Sequence, residues 1–325
     1  MAGDKLIVYP DAEADMTGML AGERLVRLEK HGRFVAHQGR PADNAQYVER
    51  IKGASGILLG WDLPTDVMTQ APDLEVIVFA GIGVGTFVEL DVAVAQGITV
   101  CNTPGYADNA VAEHALALLL SLARHTPRLD AKLRAGEWDQ SHTGFELRGK
   151  TLGVVGFGGI GARMAEIGKA LGMDVVAWTR NASPERAARH GVTFTALDDL
   201  LAASDVVSLH VPANAETEGL LGAAQLDRMK PGAVLVNTAR AQVVDEAAMI
   251  ERLQSGRLGG AALDVYGEEP LAADHPLIAL DNVVLSPHMG FGTPEAITAI
   301  LDIAIDGLAG YFDGDPVNVV AAPEC

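Results

Sequence analysis

One eight-residue segment, Val154-Val155-Gly156-Phe157-Gly158-Gly159-Ile160-Gly161, constrains this chain more than any other. It continues an apolar, β-favouring run and opens a stretch with helical periodicity at 162–171. Glycines at 156, 158 and 161 do three separate things in such a place: they allow a tight strand-to-helix turn, close approach of backbone to a pyrophosphate, and close packing of helix on strand. The helix behind the turn presents unpaired N–H groups and the positive end of its dipole to the anion. The segment predicts a βα unit that binds a dinucleotide, with Gly156, Gly158, Gly159, Ile160 and Gly161 at the phosphates. The nearby Gly168-Lys169 makes no P-loop, because Arg163 stands where that loop needs Gly and Ala170 where it needs Ser or Thr.

Short β-rich runs recur at 6–10, 56–60, 75–80, 98–102, 152–157, 174–178, 205–210, 233–237, 259–265 and 282–286, with helical patterns between them. Strands alternating with helices build parallel sheets. A chain 49% apolar but only 5% aromatic suits helices packed on buried parallel strands, and 325 residues suit two domains. The expected fold class is α/β with two doubly wound parallel sheets. Turn chemistry at Pro104-Gly105 and between Pro287 and Pro294 marks two crossings of the chain. We therefore expect a discontinuous substrate-binding domain, 1–102 plus 291–325, and a dinucleotide-binding domain, 103–290.

With 24 basic and 43 acidic residues the net charge is −19, a surface that repels nucleic-acid backbones and anionic lipid. Neither nucleic acid nor membrane is an expected partner. Individual arginines become informative, because a small anionic substrate needs local positive charge. Cys101 and Cys325 lie far apart and outside any metal-ligand spacing, so no metal is expected and a reducing cytoplasm fits. The first ten residues lack a signal peptide's apolar core, and the apolar helical run 115–123 is too short to span a bilayer, so we expect a soluble protein.

The second strand of the dinucleotide unit ends at Trp178-Thr179-Arg180-Asn181, where an NAD site usually places an acid for the adenosine ribose. No acid is there. Thr179 and Arg180 would instead meet a 2′-phosphate, which favours NADP(H); NAD(H) stays open if Arg180 is simply a solvated cation. Three further strand-end segments carry polar groups to the same sheet edge: Val236-Asn237-Thr238-Ala239-Arg240, the run 263–270 with Asp264, Glu268 and Glu269, and Leu285-Ser286-Pro287-His288-Met289-Gly290. A cation for a carboxylate, a proton donor and an acid beside it would suit carbonyl reduction.

At this point the chain resembles the NAD(P)-dependent D-isomer-specific 2-hydroxyacid dehydrogenases. The matching pieces are GIGVG (81–85), NTPG and AVAEH (102–105, 110–114), GFGGIG (156–161), HVP (210–212), VNTAR (236–240), ALDVYGEEP (262–270) and SPHMG (286–290), in the family's order. The resemblance implies a flavodoxin-like substrate domain beside a Rossmann domain, and a homodimer built partly on the helix after NTPG. It implies a catalytic set of Arg240 on the substrate carboxylate, His288 as general acid and base, and Glu269 as the partner of His288. It also implies that Ala80, Gly81 and Ile82 hold the carboxylate's other side, and that His210, Pro212, Thr217, Thr238, Ala239, Asp264 and Gly290 line the cofactor. Position 241 is Ala where the family commonly has Gly.

Within the family, Glu269 argues against formate, whose dehydrogenases carry Gln there, and the absence of Lys near Ile82 argues against phosphite. The loop 58–63 has no Arg or Lys for a phosphate, and the chain has no room for the regulatory domain of long phosphoglycerate dehydrogenases. The expected substrate is a small unphosphorylated 2-oxo or 2-hydroxy acid of the glyoxylate or hydroxypyruvate type. A dinucleotide-sensing binding protein, such as the corepressors that share this fold, is the alternative.

Overall fold

The computed structural model describes residues 5–323; Cys325 lies outside the described residues. In chain order the strands are β1 (Leu6–Ala12), β2 (Arg33–Gln38), β3 (Gly56–Leu59), β4 (Val76–Phe79), β5 (Thr99–Cys101), β6 (Thr151–Val155), β7 (Asp174–Trp178), β8 (Thr193–Phe194), β9 (Val206–Leu209), β10 (Val234–Asn237), β11 (Gly260–Leu263), β12 (Val283–Leu285) and β13 (Val319–Ala321). They form two sheets. The chain divides into two compact units, one made of residues up to Ala107 with those from Thr293 onward, the other Asp108–Gly292. Residues 103–107 group with the first unit because Thr103, fully buried, donates both its N–H and its hydroxyl to Gly81 O.

The first sheet runs β13-β5-β4-β3-β1-β2, parallel except for β13. β3 and β4 are continuous apolar runs, buried at every position, as expected of parallel strands covered on both faces. Ile57, Leu59, Ile77 and Phe79 point into one core; Leu58, Val76 and Val78 point into another, against Ile300, Leu301, Ala304, Ile305 and Leu308 of the helix Pro294–Asp313. That helix begins at Thr293, whose side chain accepts the Ala296 N–H at 3.1 Å.

The second sheet runs β12-β11-β10-β9-β6-β7-β8, parallel throughout. One of its faces carries Val154, Val206, Val234, Val236 and Ala262 against Ala112, Ala115, Leu119 and Leu122 of the helix Asp108–Arg124 and Met164 and Ala165 of the helix Gly159–Ala170. In both sheets strand order reverses once, between β1 and β3 and between β6 and β9, and ligands of doubly wound sheets bind at the carboxyl end of such a reversal. Among the described residues no helix is long and apolar enough to cross a membrane.

At the reversal in the first sheet, Asp11 is 1% exposed and accepts the N–H groups of Gly60 (3.0 Å) and Trp61 (2.7 Å). Burial pushes its carboxyl from 3.8 up to about 6, against the lowering effect of those two bonds. The folded state therefore holds the proton more tightly than the unfolded chain. This stabilisation is complete below about 3.8 and is lost as pH rises through about 6. In urea unfolding, the stability of wild type relative to Asp11→Asn is expected to fall by about 2 kcal/mol between pH 4 and 7, at about 1.36 kcal/mol per pH unit between the two pKa values. A difference that does not change with pH would remove this assignment.

Candidate active site

β6 turns into the helix Gly159–Ala170 through the glycine segment. Gly156 has φ +95, and a Cβ on it would lie 2.4 Å from His210 O, so the β6/β9 reversal closes only over a glycine. A Cβ on Gly161 would lie 2.0 Å from Gly156 O, which fixes how closely the helix packs on its strand. At Gly158, by contrast, a Cβ would meet no protein atom within 4 Å, and no side chain caps the helix here. Open space before uncapped N–H groups is the cradle that a pyrophosphate needs. Ile160 packs against the core beneath. Thr238 adds a second sign of fit, for its hydroxyl is buried at the end of β10 with no hydrogen-bond partner among the described residues.

The other residues expected at the cofactor are placed as follows. His210 follows β9; burial pushes its imidazole down to about 4, so it is neutral near pH 7, with Nε2 2.8 Å from Ser208 Oγ. Thr217 turns its hydroxyl inward, donating to Pro212 O and accepting the Asn214 N–H at 3.0 Å, which ties the loop after β9 together. Ala239 N–H donates to Asn237 Oδ1 at 3.0 Å, while Asn237 Nδ2 donates to Arg240 O at 3.0 Å. Thr179 directly follows β7. Arg180 forms an ion pair with Glu216, the two side chains 67% and 66% exposed. An exposed pair of this kind contributes about 0–1 kcal/mol, little enough for a phosphate to replace the Glu216 carboxylate.

Arg240 opens the turn after β10, half-buried, with Nη1 donating to Ala239 O at 2.7 Å. Among the described residues it makes no ion pair. In a chain with 43 acidic residues, a guanidinium left without a carboxylate is available to an anionic ligand. Ala241, where relatives commonly have Gly, begins a 3-10 turn, Ala241–Val243, and its φ is not positive, so a methyl group is tolerated.

His288 and Glu269 come from the segments after β12 and β11. Nδ1 of His288 lies 2.8 Å from Glu269 Oε2, and Glu269 Oε1 accepts the Tyr266 N–H at 3.0 Å. The carboxylate is thus fixed at both oxygens, and the side chains remain 37% and 39% exposed, open to a substrate. The adjacent Glu268 has no such bond among the described residues. His288 holds φ +55, a conformation that costs a residue with a Cβ about 1–2 kcal/mol and persists only where surrounding bonds enforce it.

Asp264 supplies that enforcement. It is 1% exposed, and accepts the N–H groups of Met289 (2.9 Å) and Gly290 (2.8 Å). Burial opposes its ionisation, but the bonds from His114, Met289, Ser286 and Gly290 outweigh burial and hold the carboxyl below its ordinary range. Its neighbours carry no role that the sequence alone assigns. Tyr266 donates its hydroxyl to Ser286 O (2.9 Å) and accepts the Ser286 N–H (3.2 Å), joining the two segments that carry Glu269 and His288; burial pushes this phenol up to about 12. His114 reaches the same cluster, and Asn237 shapes the Arg240 turn. All four lie inside the motifs AVAEH, VNTAR, ALDVYGEEP and SPHMG, which mark their position in the chain and not what they bond.

In the first unit, Ala80, Gly81 and Ile82 follow β4. Thr103 bonds Gly81 O, Asn102 Nδ2 donates to Ile82 O at 2.8 Å, and Ala80 N–H donates to Leu59 O at 2.8 Å, so this turn is tied down at three points. The loop 58–63 has no cation of its own, but Arg40, from the segment after β2, lies 3.8 Å above the Trp61 ring. The fold thus brings to this loop a cation that lies outside it in sequence.

Residues 116–290 match the family described as D-isomer specific 2-hydroxyacid dehydrogenase, NAD binding domain. A D-3-phosphoglycerate dehydrogenase of Archaeoglobus fulgidus is 43% identical over 260 residues, which cover 79% of this chain and 49% of that protein. A glyoxylate reductase of Aeropyrum pernix is 40% identical over 293 residues, 87% of each chain. The chain spans about half the length of the phosphoglycerate dehydrogenases it matches. Among solved structures, an NADPH-dependent glyoxylate/hydroxypyruvate reductase of Sinorhizobium meliloti, in complex with NADP and malonate, aligns with TM-score 0.84 and 31% identity over 98% of this chain and 97% of that one. Two α/β units, a glycine turn at one strand reversal, and a His–Glu pair and an Arg without an ion pair among the described residues at the carboxyl ends of the same sheet are the features of a doubly wound, dinucleotide-binding fold. The chain belongs to the D-isomer-specific 2-hydroxyacid dehydrogenase family.

Proposed function

We propose that the chain is an NAD(P)-dependent dehydrogenase that interconverts a small unphosphorylated 2-oxo acid, of the glyoxylate or hydroxypyruvate type, and its D-2-hydroxy acid. The observation that carries this reading is the His288–Glu269 bond at 2.8 Å, with Arg240 after the neighbouring strand β10 and without a carboxylate partner among the described residues. With Nδ1 committed to Glu269, which fixes the ring's orientation, His288 has Nε2 free to exchange a proton with the substrate. In reduction C2 of the substrate gains a hydride and its oxygen gains the Nε2 proton; oxidation reverses both. Arg240 offers a planar fork to the substrate carboxylate and draws charge from the carbonyl oxygen. Ala80, Gly81 and Ile82 of the first unit are the further residues we assign to the substrate; the N–H groups of Ala80 and Gly81 already donate to Leu59 O and Phe79 O, so the assignment rests on Ile82. The nicotinamide, when bound, supplies the hydride.

On this reading Asp108–Gly292 is the dinucleotide-binding domain and the other unit the substrate-binding domain. NADP(H) is favoured because Arg180 stands where an NAD site carries an acid, with NAD(H) as the alternative. A homodimer is supported by exposed Leu120, Leu133 and Trp138 on and after the helix Asp108–Arg124, and a cytoplasmic location by the two isolated cysteines. One observation favours a second substrate class: Arg40 over Trp61 would suit a 2-oxo acid with a second anionic group, such as the phosphate of a phosphoglycerate-type substrate.

Initial rates with NADPH and NADH across glyoxylate, hydroxypyruvate, 2-oxoglutarate and 3-phosphohydroxypyruvate test all of this together. We expect the first two to have the highest kcat/KM, with NADPH ahead of NADH. Faster use of NADH would remove the Arg180 argument, and preference for the dianions would select the second substrate class. Tight dinucleotide binding with no acid reduced would mark a sensing protein instead.

A further inference from the structure

His114 takes no part in the chemistry outlined above, yet it stands where the segments carrying His288 and Asp264 meet. From the helix Asp108–Arg124, its Nε2 lies 3.2 Å from Asp264 Oδ1 and 3.0 Å from Ser286 Oγ. Asp264 in turn holds the N–H groups of Met289 and Gly290, the two residues after His288, and Ser286 lies two residues before it. The loop 286–290 is therefore gripped on both sides of a histidine whose backbone, at φ +55, depends on that grip. Of the groups that do so, His114 alone comes from a helix packed on the face of the sheet; Asp264, Tyr266 and Ser286 all belong to its carboxyl edge. A carboxylate 1% exposed stays charged only while donors surround it, and among the described residues His114 is its one donor from outside that edge.

We propose that His114 is a positioning residue for His288, acting through Asp264 and Ser286 to hold the loop 286–290 in its reactive conformation. This rests on the reading of His288 as the proton donor. Two measurements on His114→Ala and His114→Gln test it: amide hydrogen exchange at Met289 and Gly290 without cofactor, and kcat alongside the NADPH dissociation constant. In His114→Ala we expect both amides to exchange about tenfold faster and kcat to fall about tenfold, while NADPH affinity changes by less than about twofold. Gln, whose Nε2 can donate from a similar place, should recover most of both losses. Unchanged exchange and kcat in His114→Ala overturn the proposal. So does a loss shared equally by kcat and NADPH affinity that Gln does not repair, since that is the mark of general packing damage. Should wild type reduce no 2-oxo acid, the reading of His288 fails, and exchange alone decides whether His114 anchors the loop.

Discussion

Replacing His288 with Ala lowers kcat by about 10²–10⁴-fold, the usual contribution of a positioned acid–base group, while NADPH affinity stays within about twofold. The expectation follows from geometry. His288 is 37% exposed and its Nδ1 is committed to Glu269, so Nε2 is the ring nitrogen left to exchange a proton with a substrate. No structural bond among the described residues depends on that nitrogen, so the variant should fold. Stopped-flow reduction of glyoxylate and fluorescence titration of NADPH separate the two effects. A kcat within tenfold of wild type would show that protons arrive by another route.

Arg240→Lys is the second large effect. Lys keeps the charge but loses the fork, and with it at least one charge-assisted bond of about 1.5–3 kcal/mol in the transition state; we expect kcat/KM to fall about 10²-fold. NADPH binding should not change. Because Asn237 holds the Arg240 carbonyl rather than its side chain, the turn after β10 is preserved in the variant. Equal kcat/KM for the Lys and wild-type proteins would mean that Arg240 does not meet the substrate carboxylate.

What the sequence disclosed depended on whether the relevant physics was local. β3, β4 and β6 were legible because a parallel strand covered on both faces must be apolar at nearly every position. β2 was not, because Arg33–Gln38 is an edge strand with partly exposed positions and two polar ends, and the two-residue β8 leaves no pattern at all. β13 was hidden in a tail that reads as helical, and it joins the first sheet antiparallel. At the candidate site the same division holds. The glycine turn shows itself over eight residues, since each glycine answers to backbone a few positions away. Arg180, by contrast, meets Glu216 36 positions on, and His114 meets Asp264 150 positions on, separations that leave no local pattern. Strand order decides which of these residues meet, and periodicity carries no information about strand order.

The helix Pro294–Asp313 has a consequence for synthesis. It covers the face of β3 and β4 that carries Leu58, Val76 and Val78, yet it is translated after the whole of Asp108–Gly292. A ribosome therefore releases one unit with its sequence contiguous and complete while an apolar face of the other, made earlier, still waits for its cover. The nascent chain is most exposed to aggregation in that interval, and a chaperone that shields the older segment would matter more than one that meets the newer.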